Sequence, residues 1–388
     1  VLEFAKSCNR LDDVIVIELN GKYKYNPLDK PELKSSVIAN RLKTILLLFS
    51  PNNTESYWLD KVEQILECAI DFCRIYNDNY VTFDEIHKLV TNVDYFSEKF
   101  LNLRSRFTSG TLSKKDCYLL YHSIYFLKHD YYSLDNRTFN ILQSEITRIT
   151  NVFISDYDVN KTFCPSRYEE NFYGFKDVID NGKIVVLNMN ISEYKNLSKI
   201  IAAYLKLDFQ TDVLKQLSNS SKIKRTTAFI SDEYQEYVTS SDANFFSQSR
   251  EAKCINIVSV QSYTSIMNTL NNSNSSKVII QNLVNKLWYR TDDIFTIEDI
   301  QKQIGKEEKK RVSKTISENA KDSTYNPILK NFSSSSSSLS ESVNSYYQND
   351  FVYDYNFFTQ SLKTFSCVAF LSDGDMVLKP QQLKMIPY

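Results

Sequence analysis

The sequence predicts an α/β fold in which an all-α domain is inserted into a doubly wound, mainly parallel sheet. Two observations lead to this prediction. In the second half of the chain, short apolar runs rich in β-branched residues alternate with helical patterns, which is typical of a parallel sheet with crossover helices. One similar run near the start is separated from these by a long stretch that has only helical periodicity.

The individual elements are predicted in order from their periodicity. The first strand is predicted at residues 14–19, where VIVIEL is apolar and β-branched, and helices are then predicted at residues 36–49, 56–76, 83–90, 93–107, 113–132 and 137–153. Strands are predicted again at residues 183–189, 227–230, 255–260, 286–289 and 367–371, with helical patterns at 194–214, 244–251 and 276–284 between the first four. Alternating aromatic residues from Phe351 to Phe357 predict one more strand, before a short helix at residues 358–365.

These elements divide the chain into domains. With 388 residues, the chain exceeds the length at which a single core keeps growing. We expect residues 1–27 to begin an α/β domain, residues 28–155 to form the inserted all-α domain, and residues 156–388 to complete the α/β domain. Within the last part, residues 314–345 are polar and contain a serine homopolymer, which predicts a disordered surface loop.

The overall composition excludes several classes of protein. The chain has 46 basic and 47 acidic side chains, so it lacks the global positive field of a general nucleic-acid binder. Its 7 cysteines are scattered and form no CxxC pair, which favours a reducing compartment and argues against structural zinc. No apolar stretch is long enough to span a membrane and no secretion signal is present. Because the first residues read as the middle of a helix, we expect the chain to be a fragment.

The most informative segment is TTAFISDEYQEYV, in which Asp232 and Glu233 directly follow an apolar strand. Carboxylates at the carboxyl end of a parallel strand can hold a hydrated magnesium ion and orient a water molecule. Gln261 follows the next predicted strand, where an amide can sense a terminal phosphate. The alternative is that the two acids only cap a turn. The neighbouring glutamine favours a phosphoryl-transfer site.

Three further polar residues are candidates for contacting a nucleotide. Arg250 lies between the two strands and could reach a nucleotide held by an adjacent subunit, where its planar fork would match two phosphate oxygens. Asn282 and Arg290 flank the following strand and could act similarly. A surface salt bridge is the alternative for Arg250.

A phosphate-binding loop is missing from the sequence. None of the 6 glycines forms a GxxxxGK pattern followed by Ser or Thr. Such a loop supplies the backbone amides and the lysine that hold the β and γ phosphates. We therefore expect this chain to carry only half of an ATP site.

Several stretches together resemble one family, the type IV coupling proteins, which are conjugative DNA-transfer ATPases of the TraG and TraD kind. These stretches are YKYNPLD with SSVIANRL, SYWLDKVEQIL, NGKIVVLNM, TAFISDEYQEYV, FFSQSREAKCINIVSVQSYTSI and IIQNLVNKLWYRTDD. The resemblance implies a RecA-like P-loop NTPase fold, with the α/β domain binding ATP and Mg²⁺. In that family the phosphate-binding loop, called Walker A, and a membrane anchor lie upstream of the first of these segments.

The resemblance also implies a role for each candidate residue. Asp232 would be the magnesium-associated acid of the Walker B motif and Glu233 the catalytic glutamate. Gln261 would be the sensor of the terminal phosphate, and Arg250 would stabilise charge across a subunit boundary.

The same resemblance implies the setting in which the protein works. Family members form hexameric rings at the bacterial inner membrane. The expected partners are single-stranded DNA, relaxosome or secreted substrate proteins, and the proteins of the secretion channel.

Two alternatives to this interpretation stay open. One is a ring translocase of the chromosome-pumping kind, which would not need the helical insertion. The other is a docking or structural protein that kept the fold and lost nucleotide binding.

Overall fold

The structure is a computed structural model that describes residues 1–49, 56–189, 191–218, 225–270, 273–319, 325–328, 331–332 and 338–386. The chain divides into two compact units. The first comprises Val1–Gln261 and Ser265–Leu283, and the second comprises Ser262–Thr264 and Val284–Tyr388. This division differs from the predicted one, and the boundaries of the inserted domain remain a prediction.

Two pairs of parallel strands form the sheets of the first unit. Strand β1 (Val14–Ile17) pairs with β2 (Ile184–Leu187), and β3 (Thr227–Ser231) pairs with β4 (Cys254–Val258). The strands β1 and β2 are therefore direct neighbours although the whole helical stretch lies between them in sequence. These are the strands that β-branched apolar runs predict.

Helices account for most of the rest of the first unit. They are α1 (Leu2–Ser7), α2 (Ser35–Leu47), α3 (Ser56–Tyr76), α4 (Phe83–Thr91), α5 (Val93–Thr108), α6 (Lys114–Tyr125), α7 (Asn136–Ile154), α8 (Tyr157–Phe163), α9 (Phe175–Asn181), α10 (Ile191–Ser218), α11 (Asp242–Ser249), α12 (Tyr263–Leu270, which begins in the second unit) and α13 (Ser273–Asn282). A π-helix at Phe126–Tyr131 continues α6, and short 3₁₀ helices lie at Leu11–Asp13 and Tyr234–Glu236. The backbone of α10 leaves helical geometry at Lys195.

Polar residues begin most helices of the stretch between β1 and β2. Thr82 and Glu85 form a capping box at the start of α4, in which each side chain binds the other's backbone amide. Asn92, Ser113 and Asp135 cap the next three helices through their side-chain oxygens. The caps satisfy amide groups that the first turn of a helix leaves without partners.

The core of this helical stretch is apolar and aromatic. The rings of Phe83 on α4 and Phe153 on α7 stack with centroids 4.0 Å apart. On α3, apolar side chains at helical spacing are buried: Leu59, Val62, Ile65, Leu66, Ala69 and Phe72. The helices predicted from this spacing are confirmed, and α3 has the predicted bounds.

Helices α10 and α11 cover one face of the β3–β4 pair. The ring of Phe209 on α10 stacks against Phe229 on β3, with centroids 6.0 Å apart. Phe245 and Phe246 on α11 are also buried.

The second unit contains a small antiparallel sheet. Strand β5 (Lys286–Trp288) pairs with β10 (Ser366–Phe370), which also pairs with β11 (Gln381–Lys384). Trp288 and Val368 from this sheet form a core with Ile297 and Ile300 of α14 (Ile294–Ile304) and with Phe358. The strands at residues 286–289 and 367–371 were predicted, but β11 and the antiparallel pairing of this sheet were not.

The aromatic residues 351–357 do not form the predicted strand. The strand that contains Phe351 ends there, and a π-helix spans Phe357–Ser361. Tyr353 and Phe357 instead pack against the core of the second unit. Alternation of aromatic residues is therefore produced here by loop and helix residues that share one apolar core.

The prediction of a disordered loop at residues 314–345 is wrong for the residues at its two ends. A long ribbon is formed by β6 (Lys306–Asn319) and β9 (Ser338–Phe351), which pair in antiparallel register from Lys306 opposite Phe351 to Asn319 opposite Ser338. A second short pair joins β7 (Tyr325–Asn326) to β8 (Asn331–Phe332). Of the serine homopolymer, residues 333–337 lie outside the described part of the chain. Polar side chains are compatible with a strand that gains its stability from a hydrogen-bonded partner.

An α/β fold with parallel strands and a helical insertion is thus confirmed. Among the described residues, no helix combines the length and the apolar character needed to cross a lipid bilayer.

Candidate functional site

The predicted site residues lie at the carboxyl ends of β3 and β4. Strand β3 ends at Ser231 and is followed by Asp232 and Glu233, while β4 ends at Val258 and leads to Gln261. Because these strands are parallel neighbours, both ends lie at one edge of the sheet. The structure therefore brings together the acids and the amide that the sequence places after separate strands.

Asp232 is an exposed carboxylate with one oxygen already engaged. Its Oδ1 accepts a hydrogen bond from the backbone amide of Glu233, 3.0 Å away, and another from the hydroxyl of Ser259 beyond β4. Its Oδ2 has no hydrogen-bond partner among the described residues. One oxygen thus fixes the orientation of the side chain, and the other faces solvent.

Glu233 adopts a backbone conformation that is unusual for its residue type. Its φ of 47° and ψ of 42° lie in the left-handed region, which costs a residue with a Cβ about 1–2 kcal/mol. This conformation turns the chain sharply from β3 into the 3₁₀ helix at Tyr234–Glu236. Strain of this kind persists where the surrounding structure holds it, commonly at functional sites.

The carboxylate of Glu233 is held by two amide groups. Gln261 donates from Nε2 to Glu233 Oε2 across 3.1 Å, and Gln235 donates from its own Nε2 to the same oxygen. Glu233 is half-buried, Gln261 is exposed and Gln235 is buried. The contact with Gln261 was expected from the strand ends, whereas the contact with Gln235 was not.

The turn at Glu233 rests on a buried ion pair that the sequence patterns do not predict. Asp242 of α11 accepts hydrogen bonds from Lys206 Nζ of α10, from the hydroxyl of Tyr234 and from the backbone amide of Thr239. Burial lowers the pKa of Lys206 and raises that of Tyr234 well above its usual range. Lys206 Nζ also donates to the carbonyl of Tyr237, 2.7 Å away. These bonds anchor the residues that follow Glu233.

Among the described residues, neither Arg250 nor Asn282 has a hydrogen bond to this cluster. Arg250 lies just before β4, at the opposite end of that five-residue strand, roughly 16 Å from the site edge at about 3.3 Å per residue. Asn282 donates to Ser247 Oγ of α11, 3.2 Å away, and to the carbonyl of Val278. Arg290 follows β5 in the second unit and is exposed.

The cluster suits the metal-facing half of a nucleotide site. Protein-bound Mg²⁺ usually keeps several waters and takes one or two carboxylates plus phosphate oxygens, so a single exposed Asp232 with a free oxygen fits such an ion. No group of three or more metal-binding side chains lies together in the described parts of the chain. The other half of such a site, the loop that holds the phosphates, is not found in the sequence, which has no GxxxxGK pattern followed by Ser or Thr.

One face of the β3–β4 pair is apolar and uncovered by the described residues. Ile230 is 73% exposed, and Ile255 and Ile257 beside it are 52% and 54% exposed. Ala228 lies on the same face, paired with Ile255. Parallel sheets normally bury both faces, so this apolar surface is typical of a sheet on which another layer packs.

Comparison with known proteins identifies the fold. No family model matches the sequence, and no curated protein does. An unbound form of the bacterial conjugative coupling protein TrwB matches the structure with a TM-score of 0.60 and 10% identity, over 97% of this chain and 74% of that chain.

Two nucleotide complexes of TrwB match equally well. TrwB in complex with the non-hydrolysable ATP analogue ADPNP has a TM-score of 0.59 and 10% identity, over 97% of this chain and 74% of that chain. TrwB in complex with ADP and Mg²⁺ has a TM-score of 0.59 and 10% identity, over 98% of this chain and 76% of that chain. The chain therefore has the RecA-type α/β fold of a conjugative coupling protein, as the sequence resemblance predicted.

Proposed function

We propose that this chain is part of an ATP-driven coupling protein that moves DNA or protein in conjugative transfer or type IV secretion. The observation that supports this most strongly is the convergence of Asp232, Glu233 and Gln261 at one sheet edge, in a chain with the TrwB fold. A fold alone hosts many functions. The added argument is that these residue types are the ones that phosphoryl transfer requires at this place.

Each residue has a distinct part in the proposed reaction. Bound Mg²⁺ would neutralise charge on the phosphates of ATP. The free oxygen of Asp232 would face that ion and the waters that the ion keeps. Glu233 would orient the attacking water and accept its proton, because its carboxylate is fixed yet reachable from solvent. Gln261 is exposed and its one side-chain hydrogen bond within the described residues is to Glu233, so its amide can turn toward a terminal phosphate.

Arg250 would act on the nucleotide of a neighbouring subunit. It lies at the sheet edge opposite Asp232, so it cannot serve the site of its own chain without a large movement. Its side chain is exposed and has no ion-pair partner in the described residues. In a homo-hexameric ring, this position would present its guanidinium across the subunit boundary. Asn282 and Arg290 would be further nucleotide contacts in the assembled ring.

The rest of the ATP site would come from a Walker A segment packed on the uncovered face of β3 and β4. The exposed side chains of Ile230, Ile255 and Ile257 supply the apolar surface for such a layer. A membrane anchor would likewise lie outside these residues.

The helical stretch would meet the protein partners. Relaxosome or secreted substrate proteins would bind there, single-stranded DNA would pass through the ring, and secretion-channel proteins would meet the complex at the inner membrane.

The function is tested by ATP turnover of Glu233→Gln in the full-length protein. Loss of the proton acceptor is expected to lower turnover by about 100-fold or more, while the Kd for ATP changes by less than about threefold. The control is Glu236→Gln, which neutralises an acid of the same turn that pairs with Lys199 instead. Unchanged turnover in Glu233→Gln, or equal losses in both variants, would contradict the proposed function.

One alternative is favoured by a specific observation. The missing phosphate-binding loop suits a docking protein that kept the fold without hydrolysing ATP. In that case the full-length protein would bind partners but show no ATP turnover. The chromosome-pumping alternative gains less support, because it does not account for the helical stretch between β1 and β2.

A further inference from the structure

Gln235 is buried directly behind the carboxylate of Glu233. It lies in the 3₁₀ helix that follows the acid pair and is 5% exposed. Its Nε2 donates to Glu233 Oε2. Its backbone carbonyl accepts a hydrogen bond from the hydroxyl of Thr269 on α12, 2.9 Å away. The residue is therefore fixed from both its backbone and its side chain.

The orientation of this amide is set by the carboxylate. Turning the amide over would bring its oxygen against the Glu233 carboxylate, where two acceptors repel. In the observed orientation, Gln235 Oε1 is buried without a hydrogen-bond partner among the described residues. A buried acceptor left in this way costs roughly 1–3 kcal/mol, so its presence calls for an explanation in ordered water or in function.

The two amides that hold Glu233 differ in their freedom to move. Gln235 and Gln261 bind the same oxygen, Oε2, which leaves Oε1 without a partner in the described structure. Gln261 is exposed and can leave this contact, whereas Gln235 cannot swing away without disturbing a packed turn. The buried amide can thus keep one carboxylate oxygen occupied while the other is presented to solvent.

We propose that Gln235 is a positioning residue that orients Glu233 for catalysis. It acts through Glu233 and does not itself touch ATP. This inference rests on the proposed ATP hydrolysis, because it assigns a part in the same site. Its specific claim is that a buried amide fixes the carboxylate that activates the water.

The test is the steady-state kinetics of Gln235→Met in the full-length protein. Methionine has a similar length and fills the same space but lacks the donor. We expect kcat to fall by about 10–100-fold, the usual effect of losing a residue that orients a catalytic group, with the KM for ATP changed by less than about threefold. A merely structural role would lower the amount of folded protein and leave kcat per folded molecule unchanged.

Two further variants complete the kinetic test. Gln301→Met is the matched control. Gln301 is a partly buried glutamine of the second unit, and it donates to the carbonyl of Tyr353 in that same unit. The kcat of Gln301→Met should match that of the wild type. If Gln235→Met does not fold, Gln235→Asn retains an amide that is one methylene too short to reach Glu233, and the same loss of kcat is expected. A wild-type kcat in a folded Gln235 variant would overturn the inference.

Crystal structures separate this inference from the proposed function. If the wild-type protein does not hydrolyse ATP, the proposed function fails, but the positions of side chains can still be compared. The inference predicts one orientation of the Glu233 carboxylate in the wild type, bound to Gln235, and a displaced or multiple orientation in Gln235→Met. An unmoved carboxylate in the variant would overturn the inference even in an active enzyme.

Discussion

Beneath the turn that carries Glu233, a lysine and an aspartate form an ion pair that is closed off from water. Lys206 is 3% exposed and Asp242 is completely buried. Removing one partner of such a pair leaves an uncompensated charge in the core, which costs more than removing both. The pair is reinforced because Gln210 Nε2 donates to Asp242 Oδ1, 2.8 Å away.

At the residue scale, we predict that Asp242→Asn destabilises the fold by about 3–5 kcal/mol, because the Lys206 ammonium loses its counter-charge and an amide NH2 replaces one of the two acceptor oxygens. The double variant Lys206→Met with Asp242→Asn should be more stable than Asp242→Asn alone. The free energies of unfolding are measured in urea. A double variant less stable than the single one would show that the two charges do not compensate each other.

What the sequence could predict at this scale depends on where a residue lies along a strand. Asp232, Glu233 and Gln261 follow apolar strands directly, so their shared edge could be predicted from strand order. Gln235 and the Lys206–Asp242 pair could not, because their burial depends on how α10 and α11 pack against the turn. The sequence offered one sign of these buried polar groups: Lys206, Asp208 and Gln210 stand at alternate positions within an otherwise apolar helix.

At the scale of elements, the chain leading into the helical stretch meets the chain leaving it. The backbone amide of Asn26 donates to Glu170 Oε1 across 3.1 Å, and the backbone amide of Asn171 donates to the carbonyl of Lys24 across 3.2 Å. Burial, together with the nearby Asp29 carboxylate, raises the pKa of Glu170 to about 8, although the Asn26 amide and Lys30 act in the opposite direction. Folding therefore favours the protonated form of this carboxyl.

This junction should make stability depend on pH. The pKa of Glu170 rises from 4.5 to about 8 on folding, so the folded chain binds more protons than the unfolded chain between these values. The stabilisation that protonated Glu170 contributes is fully present below about pH 4.5 and is lost as the pH rises through about 8. Glu170→Gln mimics the protonated form, so the free energy of unfolding of this variant should fall less with rising pH. Urea unfolding at pH 5.5, 7 and 8.5 gives the comparison, and parallel pH dependences in the two proteins would contradict the assignment.

The ribbon formed by β6 and β9 could not be predicted from composition. Serine, lysine and glutamate are the commonest residues of these two strands, and composition alone cannot distinguish a loop from two strands that pair with each other. The few apolar residues, among them Val312, Ile316 and Val343, are exposed and too widely spaced to show a strand period.

At the scale of the whole molecule, the order of elements determined the fold class. A strand, a helical stretch and then alternating strands and helices predict an insertion into a parallel sheet, and the match to TrwB bears out that fold at 10% identity. The pairing of β1 with β2 could not be predicted, because it joins segments separated by the whole helical stretch. Nor does periodicity reveal that Ile230, Ile255 and Ile257 on one face of β3 and β4 are exposed in the part of the chain that the structure describes.

We propose that ATP is hydrolysed at the edge formed by Asp232, Glu233 and Gln261. The decisive experiment compares the Mg²⁺-dependent rate of ATP hydrolysis by the full-length protein with that of its Asp232→Asn variant. We expect Mg²⁺-dependent hydrolysis by the wild type and a loss of about 100-fold or more in the variant, since the carboxylate that faces the ion is neutralised. Equal rates in the two proteins would contradict it.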